Sequence, residues 1–173
     1  PRIITKNLAF IRVFVSYDHM KHDNIDHIDR NLLAALQKDA SQSQRALAET
    51  VGLSQNACWR RLQNLQKLGI IQGQTTLLDR QKLGLGLVVF VMLRTRHHSA
   101  DWLRQFRSHV TTIPEVIDFF RIGGDYDYML KVVTDDMDSY DKVYQRLISK
   151  VELDSVTSYF AMETIAEQRP LPL

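Results

Sequence analysis

The segment Leu47-Ala48-Glu49-Thr50-Val51-Gly52-Leu53-Ser54 constrains this chain more than any other stretch. It closes one helical run and opens another, with only Gly52-Leu53-Ser54 between them. Ser43 suits the N-cap of a short helix with Leu47 and Val51 inward, and Gly52 stops that helix as a C′ glycine does. Ser54 caps the next helix, whose inner stripe is Cys58, Leu62, Leu65 and Leu68, and Gly69 ends it. So short a connection cannot keep two helices in line. They cross steeply, which is helix-turn-helix geometry, and the second helix offers its outer face to a DNA major groove. Upstream, Ile25, Ile28, Leu32 and Leu36 fall at helical spacing and predict a first helix. Downstream, Ile70 and Ile71 lead into Gln72 to Leu78, which reads as a strand pair or wing.

Charge supports this placement. The net charge of the chain is only +2, but no Asp or Glu occurs from Thr50 to Leu78, while Arg60, Arg61 and Lys67 lie inside that stretch. A locally basic segment on a near-neutral chain suits a polyanion, although a solvated face without acids would look the same. Hydrophobic residues make up 45% of the 173 residues, as a packed globular protein requires. No apolar run is long enough to span a membrane, and Leu8 to Val15 is interrupted by Arg12. The single cysteine, Cys58, excludes an internal disulfide and a Cys-rich zinc site, and fits a reducing, cytoplasmic setting. Residues 1–19 look foreign to the rest. Met20 reads as the natural start, and Ile11, Val13 and Val15 permit only a loose strand.

Past Gly84-Leu85-Gly86 the pattern changes. Leu87 to Leu93 is a continuous apolar run, as expected for a strand buried on both faces. Ser99 caps a helix with Trp102, Leu103, Phe106 and Val110 inward. Val116 to Ile122 and Tyr128 to Thr134 are strands on either side of the Gly123-Gly124-Asp125 turn. A helix beginning at Asp138 carries Tyr140, Val143, Tyr144, Leu147 and Ile148 on one face, and Val156 to Ile165 is the last strand. The fold class is therefore α+β: an N-terminal winged helix-turn-helix, then a ferredoxin-like β-α-β-β-α-β domain. The predicted organisation is an extension over 1–19, a DNA-binding domain over 20–79, a linker over 80–86, and a sensing and oligomerisation domain over 87–173.

Helix three presents Ser54, Gln55, Asn56, Trp59, Arg60, Arg61, Gln63 and Asn64 off its apolar stripe. Asn and Gln can bond adenine bidentately, and Arg can read guanine or hold phosphate. Trp59 has two readings, covering the wing or a sugar face on one side and core packing on the other. Cys58 reads as a small buried thiol. His97-His98 makes a poor metal site and reads as a strand-to-helix loop. Asp135, Asp136 and Asp138 sit at a helix start, where acids favour the dipole. The second informative cluster is Gly123-Gly124-Asp125-Tyr126-Asp127-Tyr128. Its glycines permit close backbone approach to a ligand; Asp125 can hold an ammonium group and Arg121 a carboxylate. A plain hairpin turn, with Arg121 paired to Asp118 or Asp125, fits the same residues. Ser158 on the last strand is a further polar candidate. No nucleophile–base pair, phosphate loop, cofactor motif or metal motif is evident, so nothing points to an enzyme.

The order of helix-turn-helix, wing, Leu83-Gly84-Leu85-Gly86 and Gly124-Asp125-Tyr126-Asp127-Tyr128 resembles the Lrp/AsnC, or feast/famine, family of regulators. Ile28-Asp29-Arg30, Leu53-Ser54, Arg61, Leu65 and Gly69-Ile70-Ile71 belong to the likeness, which runs over residues 25–173. The resemblance implies subunit pairing through β-sheets into dimers, tetramers or octamers. It also implies amino-acid binding near Gly123-Gly124-Asp125, with Tyr126 at the same turn. The chain departs from the family pattern at Gln55, where many members have proline, and at Val151-Glu152-Leu153, which is one residue shorter. Arg121 replaces an apolar residue common in leucine-responsive members. Arg121, Cys58-Trp59, His97-His98-Ser99 with Trp102, and the stretch 158–163 look most like the cysteine-responsive branch, which makes cysteine a candidate effector. Two rivals stand beside this reading: an architectural DNA-binding protein with no effector, and a small metabolic enzyme or regulatory subunit built on the ferredoxin-like half.

Overall fold

The computed structural model describes residues 25–173. The expectations for residues 1–19, for Met20 and for a strand through Ile11, Val13 and Val15 lie outside the described residues. The chain forms two compact units, one running through Thr75 together with Gln168–Leu173, the other spanning Thr76–Glu167.

The first unit holds α1 (His27–Lys38), α2 (Gln44–Thr50) and α3 (Gln55–Lys67). Each starts on a side chain that satisfies otherwise orphaned amides. Asp26 accepts from the Asp29 amide at 2.8 Å, and Asp29 reaches back to the Asp26 amide at 3.2 Å, a reciprocal capping box. Ser43 accepts from the Ala46 amide at 3.2 Å and Ser54 from the Ala57 amide at 3.3 Å. Gly52, at φ 68°, ends α2 in the left-handed conformation that turns the chain into α3. Leu32, Leu33, Leu47, Ala48, Cys58 and Leu65 form the core of the unit, with Ile25, Leu36, Leu62 and Ile71 packed against it.

Two expectations fail here. Leu68 is not on the inner stripe. It is the C-cap residue of α3 and is 44% exposed, because the chain leaves the helix axis at Gly69. The stretch Gln72 to Leu78 forms no strand pair. Gly73 would allow a turn, but the residues after it find no strand partner among the described residues, and Leu77 and Leu78 stay exposed.

In the second unit β1 (Leu87–Arg94), β2 (Val116–Arg121), β3 (Tyr128–Thr134) and β4 (Ser155–Phe160) form one sheet in the order β2-β3-β1-β4, all pairs antiparallel. Helices α4 (Ala100–Val110) and α5 (Met137–Ile148) complete the β-α-β-β-α-β order. The core draws Val89, Val91 and Leu93 from β1, Leu130 and Val132 from β3, Phe106 and Val110 from α4, and Val143 and Leu147 from α5. Phe106 is the hub, with ring centroids 4.9 Å from Trp102, 5.0 Å from Tyr128 and 5.4 Å from Phe119.

Strand β1 is not buried on both faces along its length. Its inward residues Val89, Val91 and Leu93 are covered, while Phe90 and Met92 remain half-buried on the other face. The alternation of the pleat, with helices on one side only, accounts for this. The last strand stops at Phe160 instead of Ile165. Ala161 still donates to Val88 O at 3.0 Å, after which the chain leaves the ladder and Met162 and Ile165 are exposed. Glu167 then pairs with Lys131 and Arg80, which draws the tail back over Val88 and Phe90. Arg80 also donates to Leu85 O, Gly86 O and Thr164 Oγ1, so the stretch 80–86 is pinned to this unit. Helix α5 begins at Met137, one residue before Asp138, because Asp136 is its N-cap and accepts from the Ser139 amide at 2.8 Å.

Candidate nucleic-acid interface and effector site

Helix α3 buries Cys58 and Leu65, and leaves Gln55, Asn56, Trp59, Arg60, Gln63 and Asn64 exposed on the other side. Trp59 is 52% exposed, so core packing is the reading of it that falls. Ser54 spends its hydroxyl on the cap. Arg61 departs from expectation. Its guanidinium bonds Asp26 at 2.8 Å and Asp29 at 2.9 Å, so it ties α3 to the start of α1. Placed one position after Arg60, it is rotated by about 100° around the helix, which turns it from the open face to the acids of the capping box. The signal was available in the sequence: Asp26 and Asp29, three apart at a helix start, form an acidic pair that needs a cation.

The Asp29 amide, and after it the Arg61 guanidinium, hold the Asp26 carboxyl below the usual Asp range. A depressed folded-state pKa stabilises the fold above the unfolded value and loses that contribution as pH falls through the folded one. The N-terminal unit should therefore begin to melt earlier as pH drops below about 4, and an Asp26→Asn variant should show a flatter acid limb by circular dichroism. Cys58 is fully buried, and burial pushes its thiol up. A maleimide or disulfide reagent should label it only after denaturation; labelling of the native protein as fast as a free thiol would contradict its place in the core.

The Gly123-Gly124-Asp125 turn closes β2 onto β3 through Ile122 N donating to Asp127 O at 2.9 Å. Gly124, at φ 127°, is the turn glycine whose conformation an L side chain rarely adopts, and a Cβ there would meet nothing within 4 Å. The turn is thus open to approach. Arg94 donates to Asp125 O at 2.9 Å and lies over the Tyr126 ring at 5.6 Å. Tyr126 donates to Thr157 Oγ1 at 3.4 Å, and that bond first, then Tyr159, lowers the phenol's pKa. Asp127 accepts from the Thr95 amide at 2.8 Å and so braces the turn.

Arg121 pairs in register with the buried Tyr128, and so projects on the helix side of the sheet. There Arg121, Phe119, Tyr128, Arg107 and Thr111 line a cavity of ≈ 240 Å³. Among the described residues neither Arg121 nor the Asp125 side chain joins an ion pair, so the plain pairing of Arg121 with Asp118 or Asp125 does not form. Ser158 is not part of this cluster. It lies opposite Val91, along β4 from the turn, and its hydroxyl is engaged by Tyr140 on the helix-covered face. Sequence reasoning missed Arg94 and Arg107, which a strand and a helix bring towards the turn from distant positions.

His97 lies against Glu152 at 3.3 Å and stacks near Trp102, in the strand-to-helix loop. Among the described residues no group of three or more His, Cys, Asp or Glu could hold a metal, and no helix is long and apolar enough to cross a membrane.

Residues 25–72 match the family model of a winged helix-turn-helix DNA-binding domain, and residues 88–171 match the Lrp/AsnC ligand-binding domain. The DNA-binding transcriptional activator DecR of Escherichia coli K12 is 48% identical over 86% of this chain and 99% of its own length. The glutamate uptake regulatory protein of Zymomonas mobilis is 45% identical over 86% of this chain and 91% of its own. The crystal structure of an AsnC family transcriptional regulator from Agrobacterium tumefaciens, 43% identical, superposes with a TM-score of 0.82 over 86% of this chain and 97% of its own. A Neisseria meningitidis transcriptional regulator in complex with L-Met is 30% identical, with a TM-score of 0.80 over 86% of this chain and 97% of its own. Helix-turn-helix, ferredoxin-like half and these matches agree: the chain belongs to the Lrp/AsnC family of DNA-binding transcriptional regulators.

Proposed function

We propose that this regulator reads its operator through Gln55, Asn56, Trp59, Arg60 and Asn64, with Ser54 at the helix start, and that an amino acid bound at the Gly123-Gly124-Asp125 turn changes that binding. The observation that carries the first part is the outer face of α3. Its amide and guanidinium groups are exposed, and among the described residues Arg60 has no acid on it, unlike its neighbour Arg61. Arg61 contributes by fixing the angle between α3 and α1. For the effector, Asp125 takes the ammonium, Arg121 takes the carboxylate, and Tyr126 and the open Gly124 shape the approach. Two opposite charges near one turn, neither in an ion pair among the described residues, support this reading, as does the L-Met bound to the Neisseria relative. Cysteine, suggested by the likeness to the cysteine-responsive branch, belongs on the panel. DecR is an activator, and activation is the sign we infer here, in the cytoplasm.

The sheet face opposite the helices carries Phe90, Met92, Phe120, Met129 and Tyr159, with Phe120 and Tyr159 half exposed. An apolar face of this kind supports assembly through the sheet into dimers at least, and into tetramers or octamers built from dimers. Light scattering at micromolar concentration should give a dimer or larger; a monomer would contradict the proposal. The effector reading is tested by calorimetry with a panel of amino acids on wild type and Asp125→Ala. Wild type should bind one class clearly, and Asp125→Ala should keep basal DNA binding while losing the response. A normal response in Asp125→Ala would move the site elsewhere.

A further inference from the structure

Beside the turn, on the helix side of the sheet, lies the ≈ 240 Å³ cavity between α4 and β2. Its floor is aromatic, made by Phe119 and Tyr128. Its rim carries two guanidiniums, Arg107 from α4 and Arg121 from β2. Neither forms an ion pair among the described residues. The Tyr128 ring is buried in the core, and its hydroxyl, which makes no hydrogen bond among the described residues, is open to the cavity. Both arginines lie near enough to act on that phenol: burial raises its pKa, Arg121 opposes the shift, Asp127 adds to it, and Arg107 opposes it in turn. Two guanidiniums on the rim, a phenol hydroxyl open to the cavity and an apolar floor form a site suited to an acid group beyond the α-carboxylate.

We propose that the effector is an amino acid with a second acid group, its α-carboxylate on Arg121 and its side-chain acid on Arg107 and the Tyr128 hydroxyl. Aspartate, glutamate and cysteine sulfinate share this chemistry. The proposal rests on the reading that the effector's carboxylate lies at Arg121. Arginine pairs with carboxylate or sulfinate through charge-assisted, bidentate bonds, and a site built to bond an acid rejects its neutral isostere by leaving buried polar groups unpaired. Aspartate and asparagine are nearly the same size, so the pocket separates them by charge alone.

The test is calorimetry on the full chain with aspartate, glutamate, cysteine sulfinate, asparagine, glutamine and cysteine, for wild type, Arg107→Gln and Tyr128→Phe. Arg107 is exposed and Tyr128→Phe keeps the ring, so both variants should hold the fold, which circular dichroism checks. In wild type at least one acid should bind tenfold or more tighter than its amide. Arg107→Gln should erase that preference, with the acid binding no tighter than its amide, and Tyr128→Phe should reduce it. Equal affinity for acid and amide, cysteine binding tightest of all, or an unchanged preference in Arg107→Gln would overturn this proposal and leave the amino-acid reading intact. Binding of no amino acid at millimolar concentration would overturn both.

Discussion

Phe106→Ala is expected to destabilise the C-terminal unit by about 3–5 kcal/mol. The side chain is fully buried, and three aromatic rings, Trp102, Phe119 and Tyr128, have centroids within 5.4 Å of it. Its removal takes a filled volume from the point where α4, β2 and β3 meet. The neighbours are held by strand register and cannot collapse into the gap, so the cavity cost adds to the lost transfer energy. With a urea dependence of about 2 kcal/mol per M, the midpoint should fall by about 2 M. Phe106→Leu retains most of the volume and should lose less than half as much. A shift below about 1 kcal/mol for the alanine variant would mean that Phe106 is not the hub described here. Because Phe119 and Tyr128 also floor the proposed effector pocket, effector binding should weaken in Phe106→Ala even where the protein remains folded.

The second large effect separates two adjacent arginines. Arg60→Ala should leave stability unchanged and weaken operator binding about tenfold or more. If Arg60 holds a phosphate, the log–log salt slope should become shallower by about one unit; if it reads guanine, discrimination at one base pair should fall by about 1–3 kcal/mol. Arg61→Ala should do the reverse. It leaves the nearly buried Asp29 carboxylate without its cation, an arrangement that costs about 2 kcal/mol. Its effect on DNA should follow the loss of folded protein, recover at low temperature, and leave the salt slope near that of wild type. Urea melts and anisotropy titrations over a range of salt distinguish the two variants. A stable Arg61→Ala protein with a shallower slope would return Arg61 to the DNA face.

Much of this architecture was legible because local rules and tertiary packing agree. Ser43, Ser54 and Ser99 were readable as caps because an N-cap is a local bond between a side chain and an amide three residues on. Strand β3 was bounded correctly because a glycine turn before it and Asp135 after it flank a strand-forming run that only Lys131 interrupts. Where the outcome depends on distant partners, the sequence was silent. Arg60 and Arg61 look alike along the chain, and only the approach of α1 distinguishes them. The end of β4 could not be read from 156–165, because no Gly or Pro follows Phe160 within that stretch to mark a stop. The chain leaves the sheet there because Glu167 meets Lys131 and Arg80, far off in sequence. Ser158 appeared free for a ligand until the strand register placed it opposite Val91 and beneath Tyr140. Arg107 drew no attention on a helix face, although strand pairing places Arg121 and Tyr128 beside it.

The most direct test of the central claim is a footprint of the wild-type protein on the DNA upstream of its own gene, in excess competitor DNA, with and without each member of the amino-acid panel. The account predicts a bounded protected region that survives competition. Its half-sites should be spaced by about one helical turn or a multiple of it, and one class of amino acid should change its extent or affinity. Protection that spreads evenly, yields to competitor and responds to no amino acid would contradict it, and would make the protein an architectural DNA binder without an effector.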